Sequence, residues 1–192
     1  MKAVALICSR CGGRLLVAPG VGIGVCNPCS AAYDFSTGEK KSLPVEEPIL
    51  DPPPGGEPVV RLPFIRFSAS AAGERVNVYV MAFALRKIGT PHDDGSRLTV
   101  DNIDAPMRPG RADIPPEIAV ATAAALARFL ALRRIDPDGK KDLRPAGVRL
   151  ADPTVVAIPY VDRGDRLFNP VTGAAQDRSQ VLAVPAGSSS RP

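Results

Sequence analysis

Four cysteines, Cys8, Cys11, Cys26 and Cys29, are the chain's whole stock of that residue, and they fall as two C-x2-C pairs with fourteen residues between them. Two residues between paired cysteines let both thiolates of one tight turn reach a single ion, and two such turns complete a tetrahedron around Zn²⁺. The separation lies next to the range typical of zinc sites. Gly12 and Gly13 follow the first pair, where the turn needs backbone freedom. Four protein thiolates leave an ion no open position, so the chemistry expected is structural: the metal's binding free energy folds a segment too small to bury a core of its own.

The residues around the pairs fit that expectation. Arg14–Ala18 reads as a strand, Pro19-Gly20 as a turn and Val21–Val25 as the returning strand; Ala31–Phe35 then forms a third, turning at Ser36-Thr37-Gly38. On the four cysteines, Gly12 and the aromatic at Tyr33, residues 5–43 resemble the zinc-ribbon superfamily, which implies a small sheet carrying two metal-binding turns. The C-x2-C, Gly, Leu, C-x2-C, Ala-Tyr run is also similar to that of the small zinc-ribbon activators of methyltransferases. Three other uses of four cysteines fit less well. Two disulfides would need an oxidising compartment, a redox C-x2-C would need a βαβ context, and iron of the rubredoxin type would have its pairs further apart in an aromatic-rich core. Zn²⁺ is the expected cofactor, with iron the remaining alternative.

No second centre of chemistry presents itself. His92, the single histidine, stands in Pro91-His92-Asp93-Asp94-Gly95 and reads as a solvated turn. With every cysteine committed to metal and no Ser–His–Asp set, nucleophilic catalysis lacks an agent, and an enzyme is not expected. Gly20-Val21-Gly22-Ile23-Gly24 lies between the metal turns without a following helix or lysine, so it is not a phosphate loop. Asp136-Pro137-Asp138-Gly139 lacks the later ligands of a calcium loop and reads as a turn.

The elements that must carry this site are mostly strands. Proline is abundant, with 21 residues, and it cannot donate to ladders or helix interiors. The expected class is α+β and strand-rich: an N-terminal zinc ribbon (1–43), an acidic, Pro-rich tether (44–58), a small, mostly antiparallel β domain with one main helix at about 115–134 (59–185), and a disordered tail (186–192). Loss of metal is accordingly expected to unfold 1–43 and spare the rest. In the β domain, Val59–Phe67 and Arg75–Phe83 read as strands around an Ala-Gly turn. Tyr79, Met81 and Phe83 face one way and Val76, Val78 and Val80 the other, so the second strand should be covered on both faces. Leu98-Thr99-Val100 is a candidate short strand. The helix carries a small-residue stripe, Ala119, Ala123, Ala127 and Ala131, suited to close packing on a sheet. Thr154–Val161 and Arg166–Phe168 complete the set. Leu62-Pro63-Phe64 is echoed by Ile158-Pro159-Tyr160, and the Tyr33–Gly38 turn by Phe168–Gly173.

Charge narrows the function classes. The net charge is +4, from 24 basic and 20 acidic residues. Lys2, Arg10, Arg14, Lys40 and Lys41 outnumber Asp34 and Glu39 in the ribbon, whereas Glu46, Glu47, Asp51 and Glu57 have no cation beside them in the tether. No run approaches the ~20 apolar residues of a membrane span, and Ala3–Ile7 is shorter than a signal core of ~7–15; a cytoplasmic protein without a membrane partner is expected. The leading expectation is a non-enzymatic adaptor or accessory subunit that binds protein partners. The alternative is nucleic-acid binding, with Arg10, Arg14, Lys40 and Lys41 on phosphates.

Overall fold

The computed structural model describes residues 6–18, 20–50, 59–83, 94–100 and 105–181. The Pro52–Pro54 run, His92 with Asp93, and the tail from 186 lie outside them. The class is α+β and strand-rich, with twelve strands and two α-helices among the described residues. The first four strands, β1 (Leu16–Val17), β2 (Ile23–Val25), β3 (Ala32–Asp34) and β4 (Lys41–Leu43), form an antiparallel sheet in sequence order.

The second sheet is built around two long strands, β6 (Val59–Ala71) and β10 (Thr154–Asp162), which pair antiparallel from Val59↔Val161 to Arg66↔Thr154. β7 (Glu74–Met81) folds back on β6 through Ala72 and Gly73, both at positive φ, the backbone that a two-residue hairpin turn demands. β9 (Arg149–Leu150) adds to the far end of β6. On the outer edge of β10 lie β11 (Arg166–Phe168), which carries β12 (Ala175–Asp177), and β5 (Val45–Pro48), which carries β8 (Met107–Pro109).

β5 replaces the start of the expected tether. Val45–Pro48 runs parallel to β10 and antiparallel to β8, and its acidic residues are not a solvated run. Glu46 pairs with Arg66 at 2.7 Å, and Glu47, buried, pairs with Arg61 at 2.8 Å and Arg108 at 2.6 Å. Composition pointed to a spacer because the cations that neutralise this segment stand on other strands.

The two echoed prolines explain how one sheet tolerates them. Leu62 and Ile158 are direct cross-strand partners, so the two similar runs lie side by side in opposite directions. The carbonyl of Pro63 accepts from Ala82 on the β7 side. The donor Pro63 lacks would have served the Ala82 carbonyl, which instead accepts from the Glu117 N–H. Pro159 pairs with Arg61, whose own N–H and C=O both turn away from β10 to Asp113. The missing N–H of Pro159 therefore faces outward, into the gap between β5 and β11, so the β6–β10 ladder loses no bond to it.

Strand alternation sorts the core onto two faces. Val76, Val78 and Val80 of β7, with Ile65, Phe67 and Ala69 of β6, face one side; Tyr79, Phe83, Leu62 and Phe64 face the other. The second face is finished by edge-on aromatic contacts, Phe64–Phe83 at 5.7 Å and Phe83–Tyr160 at 6.4 Å between centroids. It is also covered by α1 (Asp94–Val100), found where Leu98-Thr99-Val100 suggested a strand. The Thr99 hydroxyl donates to the Gly95 carbonyl one turn back and accepts from the Tyr79 N–H, so it serves β7 from within a helix.

The first face is covered by α2 (Val120–Ile135), which begins later than expected because the chain through Pro115, Pro116 and Glu117 is engaged with the end of β7. Ala123, Ala127 and Ala131 are fully buried, so the small-residue stripe lets the helix lie close on β6 and β7, while Leu126 and Phe129 point to solvent. Ala127→Leu should accordingly force the helix off the sheet and cost about 1–3 kcal/mol, read as a lowered denaturant midpoint. Ala125→Leu, on the exposed side, should leave the midpoint unchanged.

The ribbon is not insulated from this core. Ile23, Val25, Ala32 and Leu43 belong to the same buried cluster as Ile65, Val78, Ala123 and Val155. On the opposite side of its small sheet, the ribbon keeps a separate cluster of Cys8, Leu15, Cys26 and Tyr33.

Candidate metal centre

Two backbone turns of the same design present the cysteines. In the first, Gly12 donates to the Cys8 carbonyl (2.9 Å) and Cys8 donates to that of Gly13 (2.8 Å). In the second, Ser30 donates to the Cys26 carbonyl (2.7 Å) and Cys26 to that of Ala31 (2.8 Å). Both turns close on a left-handed residue: Gly12 at φ 74°, and Ser30 at φ 58°. That conformation costs a residue with a Cβ something that glycine avoids, so the second turn carries modest strain. Sequence reading found Gly12 but missed Ser30; their equal offsets after Cys8 and Cys26 were the available signal.

The four sulfurs all lie within 4.8 Å of one another, with Cys8–Cys29 and Cys11–Cys26 at 3.4 Å. A tetrahedral ion with Zn–S bonds of ~2.3 Å would set its ligands about 3.8 Å apart, so the set needs little adjustment to close around one. The cysteines are not in disulfides. Cys8 and Cys26 are buried, Cys29 is half-buried and Cys11 exposed. Four close sulfurs, two of them removed from water, are a poor arrangement without a cation and a good one with it.

Neighbours tune the set. The Tyr33 hydroxyl lies 3.4 Å from Cys8 Sγ and accepts from Ser9 Oγ, and the Arg10 N–H donates to the same sulfur at 3.3 Å. These contacts, Tyr33 foremost, pull the Cys8 thiol down to about 6. Burial pushes Cys26 up to about 12 and raises Cys29 as well. A metal must displace the protons of Cys26 and Cys29 at neutral pH, so binding releases at least two and strengthens as pH rises. Zinc affinity should therefore climb by about a hundredfold or more per pH unit between pH 6 and 8, which competition with a chromophoric chelator will read.

The four basic residues named for phosphate contact have different surroundings. Lys40 sits 4.2 Å over the Tyr33 ring and donates to the Ile7 carbonyl. Lys41 pairs with Asp152 at 2.8 Å, an exposed contact that raises the lysine's pKa and lowers the carboxyl's. Arg14 is exposed on the strand side, and Arg10 faces a cleft of about 820 Å³ between the ribbon and the second sheet. Of the two aromatics on which a base could stack, Tyr33 is buried and Phe35 half-buried. The same cleft is lined by Arg61, Glu47 and Arg111, three residues that sequence alone did not connect.

No described helix is long and apolar enough to cross a membrane. Compared with family models, curated proteins and solved structures, the chain matches none of them.

Proposed function

We propose that the four cysteines hold one structural Zn²⁺ and that the chain works in the cytoplasm as a non-enzymatic adaptor, binding a protein partner through a surface the metal holds in place. The observation that carries this reading is the donor set. Four thiolates fill a tetrahedron and leave no position for substrate or water, and Zn²⁺ suits an all-thiolate tetrahedron better than the oxygen-seeking cations do. Unpaired thiols also suit a reducing compartment.

The nucleic-acid reading has less support. Two of its four cations are engaged within the chain, and of the two aromatics Tyr33 is buried and Phe35 half-buried, short of an open stacking platform. Affinity purification of the zinc-loaded chain from its native host, followed by light scattering of the eluate, tests the adaptor directly. A complex of fixed stoichiometry is the expected result. A chain that elutes alone and monomeric at physiological salt would contradict it.

A further inference from the structure

We infer that the cleft between the ribbon and the second sheet is a docking site for an acidic, carboxylate-bearing segment of a partner protein. This inference rests on the adaptor reading and gives it an address. Three arginines from distant parts of the chain meet there: Arg10 from the first metal turn, Arg61 from β6 and Arg111 just after β8.

Their charge is only partly answered. Arg61 Nε donates to Glu47 at 2.8 Å and its Nη1 lies 3.9 Å from Asp113; Arg111 donates to Asp113 at 3.1 Å. Arg108 also draws on Glu47. Two carboxylates thus serve Arg61, Arg108 and Arg111, and Arg10 makes no ion pair among the described residues. A guanidinium carries five donors, so the pairings orient Arg61 and Arg111 without exhausting them. Asp113 further clamps the Arg61 backbone at both its N–H and its C=O. Side chains fixed in this way give up little entropy when they bind.

The kind of anion follows from what else the cleft contains. Two backbone amides of the cleft wall are already spent: Gly110 donates to Val45, and Arg10 to the Cys8 sulfur. Recognition falls to arginine forks, which match planar carboxylates two bonds at a time. The lining between them mixes Leu43, Val45 and Pro109 with Ser9, Ser30 and Ser42, which suits a peptide's apolar stems and polar groups alike. Tyr33, which also borders the cleft, is buried and offers a base little stacking face. A cleft of this volume falls in the range that holds small ligands, so it takes a short segment rather than a globular surface.

The test is fluorescence anisotropy of a fluorescein-labelled hexaglutamate peptide with the full zinc-loaded chain at low salt. Arg10→Glu and Arg111→Glu should each weaken binding at least tenfold. Arg149→Glu, an equal charge change on exposed β9, should weaken it less than twofold. Arg111→Gln, a milder change, guards against misfolding and should still lose severalfold, with thermal melts confirming the fold of every variant. Equal weakening by all three charge reversals, no binding by the parent chain, or tighter binding of a hexauridylate through the same arginines would each overturn the assignment. The adaptor reading fails separately. If a native partner is recovered equally well by the parent and by Arg10→Glu and Arg111→Glu, the adaptor stands and the cleft falls; if the parent recovers none, the adaptor itself falls.

Discussion

Stripping the metal should melt the protein as a whole rather than release a floppy ribbon from an intact sheet. Structural zinc contributes on the order of 10 kcal/mol or more to folding its own peptide segment, and here that segment is built into the larger core. Ile23, Val25, Ala32 and Leu43 belong to one continuous buried cluster with residues of β6, β7, β10 and α2. Only Pro44 separates β4 from β5, and its carbonyl accepts from Val155 of β10. If residues 6–43 lose their structure, these contacts go with them, and apolar surface on β6 and α2 is opened to water. Cys26→Ser, at a buried ligand, should cost about 4 kcal/mol or more, because loss of a metal belongs to the severe class of substitutions. For a chain of this size that lowers the melting temperature by roughly 8–16 °C. Circular dichroism melts with and without a chelator will show one transition moving down. A strand signal that keeps its midpoint after metal removal would mean that the second sheet stands on its own.

Gly110→Ala carries the next largest expected effect. A Cβ at this position would lie 2.5 Å from the Glu46 carbonyl carbon, 2.6 Å from the Glu47 nitrogen and 2.8 Å from the Glu46 oxygen. All three are backbone atoms of β5, so no side chain can swing aside. The strand itself would have to move, which breaks the Gly110-to-Val45 hydrogen bond and the β5–β8 register. The cost should reach about 3 kcal/mol, the top of the range for overpacking, and lower the melting temperature by roughly 6–12 °C. Because Glu47 and Arg111 flank this contact, hexaglutamate binding should weaken in the same variant. A stable Gly110→Ala chain with unchanged peptide affinity would contradict the close approach.

How much of this could be read from the sequence depended on how local the cause was. The metal centre was legible because its ligands are spaced by the geometry of two tight turns. The faces of β7 and the alanine stripe of α2 were legible because period 2 and period 3.6 are written into the residues. So were the matching turns at Asp34 and Asn169. Each side chain accepts from the backbone two residues on, and each turn ends on a glycine at positive φ. The failures are tertiary. Val45–Pro48 carries two glutamates and a proline and reads as spacer, yet three arginines from other strands neutralise it in the sheet. Leu98-Thr99-Val100 has strand-like composition, but the Thr99 hydroxyl serves a strand edge from within a helix. Arg10, Arg61 and Arg111 have no common spacing at all; only the packing of ribbon on sheet brings them to one cleft.

Counting the metal is the most direct test of a structural zinc centre. The chain should be purified natively without reductant, its metal measured by inductively coupled plasma mass spectrometry, and its thiols titrated before and after a strong chelator. One zinc per chain is predicted, with the thiols slow to react until the chelator frees all four. Metal well below one per chain with four freely reactive thiols, or iron in its place, or cysteines found as disulfides, would contradict a structural zinc centre.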